Sequence, residues 1–248
     1  MVERLKLVLR SQRLQLLLKS FAFAGLLTWV KIGNFGFLPI LFFLFFSLYV
    51  FNGHPYSLRS QNFYSFLALI VVSLGVTNIL NRQAFVVLAI LFFSVLFYLI
   101  LGIKELVFVH RHQWYAVKNI LLFYSLFLFF FLWDKSSYFF IKYLSFFTLT
   151  FFILREWLFW SEQNFPKRQL LTSFVLAFVV VEILWSTAIL PIGFISSANI
   201  MILITYLLVD FSLRHFQGTL NKKIILRNLG VFLLAIVFVL ITSKWNSY

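Results

Sequence analysis

The sequence predicts an all-α, polytopic transmembrane helix bundle, and three observations carry that prediction. Hydrophobic residues make up 62% of the 248 and charged residues only 11%, whereas about a quarter of a soluble domain is charged. The mean hydropathy is +0.99, and 36 residues are Phe. Apolar runs of roughly 16 to 20 residues recur along the chain, close to the length needed to cross a hydrocarbon core about 30 Å thick. These runs are continuously apolar, whereas barrel strands alternate polar and apolar over about 10 residues.

The runs fall at 20–32, 36–51, 63–80, 84–103, 117–133, 137–154, 169–188, 196–212 and 229–243, with short breaks such as "KIGNFG", "NGHPYSLRSQN", "LNRQ" and "WDKSS" between them. About nine helices are therefore expected. The first two runs are short and share the tight "KIGNFG" turn, so a re-entrant hairpin at that point would leave seven spans. Residues 1–19 form a basic cytoplasmic N-terminal segment in this reading, and 20–248 a single transmembrane domain.

Orientation follows from Lys and Arg, which are retained on the cytoplasmic side of a membrane. With the N-terminus inside, one side holds Arg4, Lys6, Arg10, Arg13 and Lys19, then Arg59, then Lys104, Arg111 and Lys118, then Arg155, Lys167 and Arg168, then Arg214, Lys222, Lys223 and Arg227. The other side holds only Lys31, Arg82, Lys135 and Lys244. The N-terminus is expected in the cytoplasm and the C-terminus outside. The net charge of +14 then reflects loop bias and calls for no nucleic-acid partner. Its expected partner is the anionic head-group layer at the cytoplasmic face. The leucine-rich basic stretch "MVERLKLVLRSQRLQLLLK" suits a helix lying on or entering that layer. It makes a poor cleaved signal peptide, because Lys19 interrupts the apolar region.

Chemistry at the surface has little to work with. The chain has no cysteine, which excludes disulfides and thiolate sites. His110 and His112 stand two apart with Glu105 the nearest acid in sequence, while His54 and His215 are isolated, so neither a metal nor a cofactor is expected. No phosphate loop, "HExxH" or Gly-x-Ser-x-Gly motif occurs, and no catalytic residue is assigned.

Polar residues inside the runs are the informative ones. An Asp, Lys or Arg at a span centre costs about 2.5–3.5 kcal/mol even on the gentler insertion scale, so such groups should face protein or water. Glu182 lies in "FVVVEILWSTAILP" and Lys142 in the preceding run, at comparable depth in the outer half. They are expected to form an ion pair, with a proton or cation relay at Glu182 as the alternative. Tyr138 and Ser145 share a helical face with Lys142, and Ser186 shares one with Glu182. Two further polar faces are Asn199, Tyr206 and Asp210 in one run, and Ser73, Thr77 and Asn81 in another. These faces fit hydrogen bonds between helices or, alternatively, a water-accessible path.

"EILWSTAILPIGF", then "RHFQGTLNKKIILRN" and a final "TSKW", resemble the C-terminal part of a family of uncharacterised multi-pass inner-membrane proteins from small-genome candidate-phylum bacteria. The resemblance covers the last quarter of the chain. It implies the bacterial inner membrane and carries over no activity or site residue. Three function classes follow, in order: a non-enzymatic structural or assembly subunit, a small-solute or proton-coupled transporter or channel, and a lipid-modifying enzyme. The short loops favour the first, and the absence of an inverted repeat or of a Gly/Pro-broken helix pair weakens the second.

Overall fold

A computed structural model describes residues 2–52, 62–105, 107–108, 110–133, 139–161 and 166–243, and the described residues form nine helices. These are α1 (Val2–Ile32), α2 (Phe37–Asn52), α3 (Phe63–Ile79), α4 (Gln83–Lys104), α5 (Arg111–Leu132), α6 (Phe139–Ser161), α7 (Pro166–Ile189), α8 (Phe194–Phe216) and α9 (Lys222–Thr242). The breaks fall where backbone chemistry stops a helix. Asn34 and Phe35 take positive φ, 48° and 57°, inside the "KIGNFG" turn, and Phe35 N–H donates back to the Val30 carbonyl at 3.0 Å. Pro166 opens α7, where its missing N–H costs nothing. Gly193 and Asn221 precede α8 and α9 in extended conformation, and Gly218, at φ +66°, lies in the link between those helices.

Among the described residues six helices are long and apolar enough to cross a membrane: Gln12–Ile32, Gln83–Lys104, Gln113–Leu132, Lys167–Ile189, Phe194–Phe216 and Lys222–Thr242. This supports a multi-pass membrane protein. It also corrects the sequence reading in two places. The first run is not short, because α1 is one continuous helix of 31 residues that also takes in the basic segment. The short helices are α2, with 16 residues, and α3, with 17, each about 25 Å long at 1.5 Å per residue. α6 is absent from the six, and its 23 residues include Lys142, Arg155 and Glu156.

The chain divides into two compact units, 1–122 and 123–248, with the boundary inside α5. In the first unit α1 packs on α4 and α2, and α3 packs on α4. Its core is aromatic: Phe23 stacks on Phe97 with centroids 4.3 Å apart, and Phe51 on Phe66 at the same distance. Lys31 donates to the Leu80 carbonyl at 2.8 Å, which brings the ends of α1 and α3 together and sets those two helices running the same way. In the second unit α6 packs on α7, α7 on α8 and α8 on α9. Phe174 meets Phe147 and Phe151 edge-on across α6 and α7. α9 has no buried residue, which a soluble protein would not tolerate for so apolar a helix but lipid does.

Candidate functional site

Lys142 is buried in the second unit, and the structure gives it a different partner from the one expected. Its ammonium donates to the Trp133 carbonyl at 2.9 Å and sits 4.2 Å from the centroid of the Phe130 ring. Trp133 immediately follows α5, where carbonyls lack intrahelical donors and carry the negative end of the helix dipole. A Lys ammonium fits that end. Phe130, Phe139, Tyr143, Trp185 and Ile189 line a cavity of about 190 Å³ beside it. Trp185 and Ile189 lie one and two turns beyond Glu182 along α7, so Lys142 meets α7 nearer its end than Glu182 does. Tyr138 lies outside the described residues.

Glu182 is exposed, and its carboxylate makes no ion pair among the described residues. Leu171, Phe174, Phe178, Trp185 and Ile189 of α7 are all exposed, and their spacing of three and four puts them on one stripe with Glu182, although Phe174 also meets α6 and Trp185 and Ile189 also line the cavity beside Lys142. Ser186, also exposed, donates to Glu182's own backbone carbonyl at 3.1 Å. Glu182 is seven residues, about 10 Å, from the end of α7, so its carboxylate stands well inside the apolar stripe. No contact among the described residues joins its side chain to Lys142.

The two polar faces are also rearranged. Ser73 and Thr77 are fully buried, yet their hydroxyls donate to α3's own carbonyls, at Ile70 (3.0 Å) and Ser73 (2.6 Å), and not across to a neighbour. Asn81 is exposed beyond the end of α3. On α8, Asn199 is half-buried and Tyr206 exposed, so that face turns outward and does not line a path. Asp210 alone makes an interhelical tie. Its Oδ2 accepts from Arg214 Nε on the same helix at 2.8 Å and from Asn228 Nδ2 of α9 at 3.0 Å.

The deepest charged chemistry lies in residues that sequence reasoning treats as loop charge. Lys118 is fully buried, donates to Ser65 Oγ at 2.9 Å and Asn62 Oδ1 at 3.3 Å, and rests 4.0 Å from the Tyr115 ring centroid. Lys104, also buried, donates to the Phe51 carbonyl at the end of α2 and lies 3.6 Å from the Phe51 ring centroid. Lys19 pairs with Glu105 at 2.7 Å. Asn119 is fully buried, and its side-chain oxygen and nitrogen make no hydrogen bond among the described residues. Hydropathy carried no signal for Lys118, whose depth comes from where the helix begins. α5 starts at Arg111, six residues before the apolar run at 117, which sets Lys118 two turns inside the helix. Among the described residues no group of three His, Cys, Asp or Glu side chains converges to hold a metal.

Helices of this length with buried cations at their ends define a protein that crosses a membrane several times. Beyond that class, no family model, no curated protein and no solved structure matches the chain.

Proposed function

We propose that the chain is a non-enzymatic structural or assembly subunit of the bacterial inner membrane, with its N-terminus in the cytoplasm, which binds another membrane protein through the outward stripe of α7. Glu182 carries this reading. A carboxylate held in lipid costs on the order of the 2.5–3.5 kcal/mol quoted for Asp at a span centre, and intramembrane acids that persist are partnered or functional. A neighbouring helix offering a hydrogen-bond donor at the same depth would remove that cost. Loop charge supports the orientation, and the C-terminal resemblance supports the membrane.

The test has opposite expected signs in two assays. Glu182→Leu should raise the thermal stability of the isolated chain in bilayers, because it removes a charge from a lipid-facing position. The same substitution should abolish a protein adduct formed in cells by a photocrosslinker at Trp185, while a crosslinker at Leu88, an exposed residue of α4, forms none. A Trp185 adduct that survives Glu182→Leu refutes the reading. Reporter fusions after residues 60, 112, 163 and 222 should report cytoplasm, and those after 135, 193 and 248 the exterior. An external signal at 222 overturns the orientation.

A transporter is the second reading, favoured by one observation, the buried Asn119 with neither side-chain atom hydrogen-bonded, next to the buried Lys118. Proton- or solute-driven signals in proteoliposomes that Asn119→Leu abolishes would establish it over the first.

A further inference from the structure

At the basic end of the second unit, the start of α7 and the end of α8 form an open cavity of about 330 Å³ lined by Arg168, Thr172, Phe211, Ser212, His215, Phe216 and Leu220. Arg168 is held in place on two sides. One guanidinium nitrogen lies 3.1 Å from His215 Nε2, and the guanidinium carbon sits 5.2 Å from the Phe216 ring centroid. A guanidinium only donates, so His215 Nε2 is the acceptor in this contact. Arg168 retains further N–H donors among the described residues, in the planar fork that suits phosphate oxygens. Arg214, the other arginine nearby in sequence, is engaged with Asp210 and is not available in the same way.

The charges around the cavity favour an anion. The first turn of α7 contains Lys167 and Arg168 and no acidic residue, so positive side chains stand at the positive end of the helix dipole, the reverse of the favourable arrangement. An anion bound there offsets both. The two hydroxyls define the rest of the ligand. Thr172 Oγ1 donates to the Arg168 carbonyl at 2.9 Å and Ser212 Oγ to the Leu208 carbonyl at 2.8 Å. Their protons are committed, which leaves their oxygen lone pairs to accept from a hydroxyl of the ligand. The remaining walls, Phe211, Phe216 and Leu220, are apolar, and Leu171 and Val175 flank Thr172 as exposed apolar surface leading along α7 toward the span.

We propose that this cavity is a binding site for an anionic phospholipid whose phosphodiester head group also carries a hydroxyl. Arg168 and His215 take the phosphate, Thr172 and Ser212 the head-group hydroxyl, and the α7 surface an acyl chain. A basic pocket between helix ends at the membrane surface is a form that head-group sites take. Leu171 is shared with the outward stripe of α7, but the head-group contacts at Arg168, Thr172 and His215 do not depend on the partner surface, because Thr172 lies more than two turns from Glu182.

The full-length chain, purified and stripped of lipid, is titrated with phosphatidylglycerol, with phosphatidylcholine of the same acyl composition, and with inorganic phosphate. Bound lipid is read by native mass spectrometry and by the shift in thermal stability. Phosphatidylglycerol should bind at least about tenfold tighter than phosphatidylcholine, and R168Q and H215Q should each remove most of that preference, as expected for loss of a charge-assisted hydrogen bond. R82Q, which changes a cation outside the cavity, should leave it unchanged. If R168Q fails to give a folded monomer by size-exclusion chromatography, R168K keeps the charge, loses the planar fork and should still weaken the preference. Equal binding of the two lipids, or a preference that survives R168Q, R168K and H215Q, overturns the proposal. A shift from inorganic phosphate equal to the lipid's, lost in the same variants, assigns the site to a soluble phosphate and overturns the lipid assignment.

Discussion

Asn228→Leu should loosen α9 from α8 without unfolding either helix. α9 has no buried residue and packs against α8, where the Asn228 amide donates across the two helices to Asp210 Oδ2 at 3.0 Å. Interhelical hydrogen bonds measured in bilayers average about 0.6 kcal/mol and reach about 1.7 kcal/mol, equivalent to roughly a threefold to eighteenfold change in the separated population. The charged acceptor should place this bond in the upper part of that range. A double-mutant cycle with Asp210→Ala and Asn228→Ala, followed by reversible unfolding in bilayers, measures the coupling. Because the chain has no cysteine, fluorophores at Phe178 on α7 and Phe238 on α9 can report separation by energy transfer without competing thiols. The Asp210 and Arg214 cycle should give only about 0.3–0.5 kcal/mol, since that i,i+4 pair is partly exposed. Asn228→Asp provides the sharper sign test, because it sets two carboxylates where one accepted an amide and should separate the helices further than Asn228→Leu does. A coupling indistinguishable from zero, or a neutral Asn228→Asp, would refute the tie.

Three more predictions rest on single positions. Lys104→Met should cost about 1–3 kcal/mol in bilayer unfolding, because it strands the Phe51 carbonyl at the end of α2. Gly218→Ala should cost about 1–2 kcal/mol, all of it from backbone conformation, because φ is +66° while a Cβ there would meet nothing within 4 Å. Gly102→Val should cost about 1–3 kcal/mol by overpacking. Even a bare Cβ at Gly102 would lie 2.4 Å from the Phe108 ring, and that ring is already stacked on Trp114 with centroids 5.0 Å apart. A thermal denaturation series on the three variants checks all of them.

The helices were legible in the sequence because lipid removes the usual competitor. Without water to satisfy backbone groups, a continuous apolar run has to close its own hydrogen bonds, and the run list and the helix list agree in number and order. Helix ends were less legible, because hydropathy marks where apolar character stops and not where the hydrogen-bond ladder stops. α1 runs back through the basic segment to Val2, and α5 extends six residues ahead of its run to Arg111. The same error hid Lys118. A cation near the end of an apolar run looks like loop charge, yet the extra helical turns carry it inward, where Asn62 and Ser65 receive it. The division into two units left no mark in hydropathy, since both halves have the same composition of runs.

Pairing inside the membrane is the hardest thing to read from depth alone, as Glu182 and Lys142 demonstrate. Opposite sign, similar depth and adjacent helices put them together on paper, but α7 turns Glu182 onto its outward stripe while Lys142 reaches the carbonyl end of α5. A helix end offers an ammonium a fixed acceptor close in sequence, and a carboxylate on another helix competes only if it stands at the same level, whereas Lys142 meets α7 at Trp185 and Ile189, one and two turns beyond Glu182. The consequence is measurable. If the two side chains were partners, Glu182→Gln and Lys142→Met would each destabilise the chain, and the double variant would recover much of the loss. The observed arrangement requires additivity instead: the double variant should equal the sum of the singles within about 0.5 kcal/mol in bilayer unfolding. Recovery of stability in the double variant beyond that margin would restore the ion pair and remove the reason for assigning Glu182 to a partner helix.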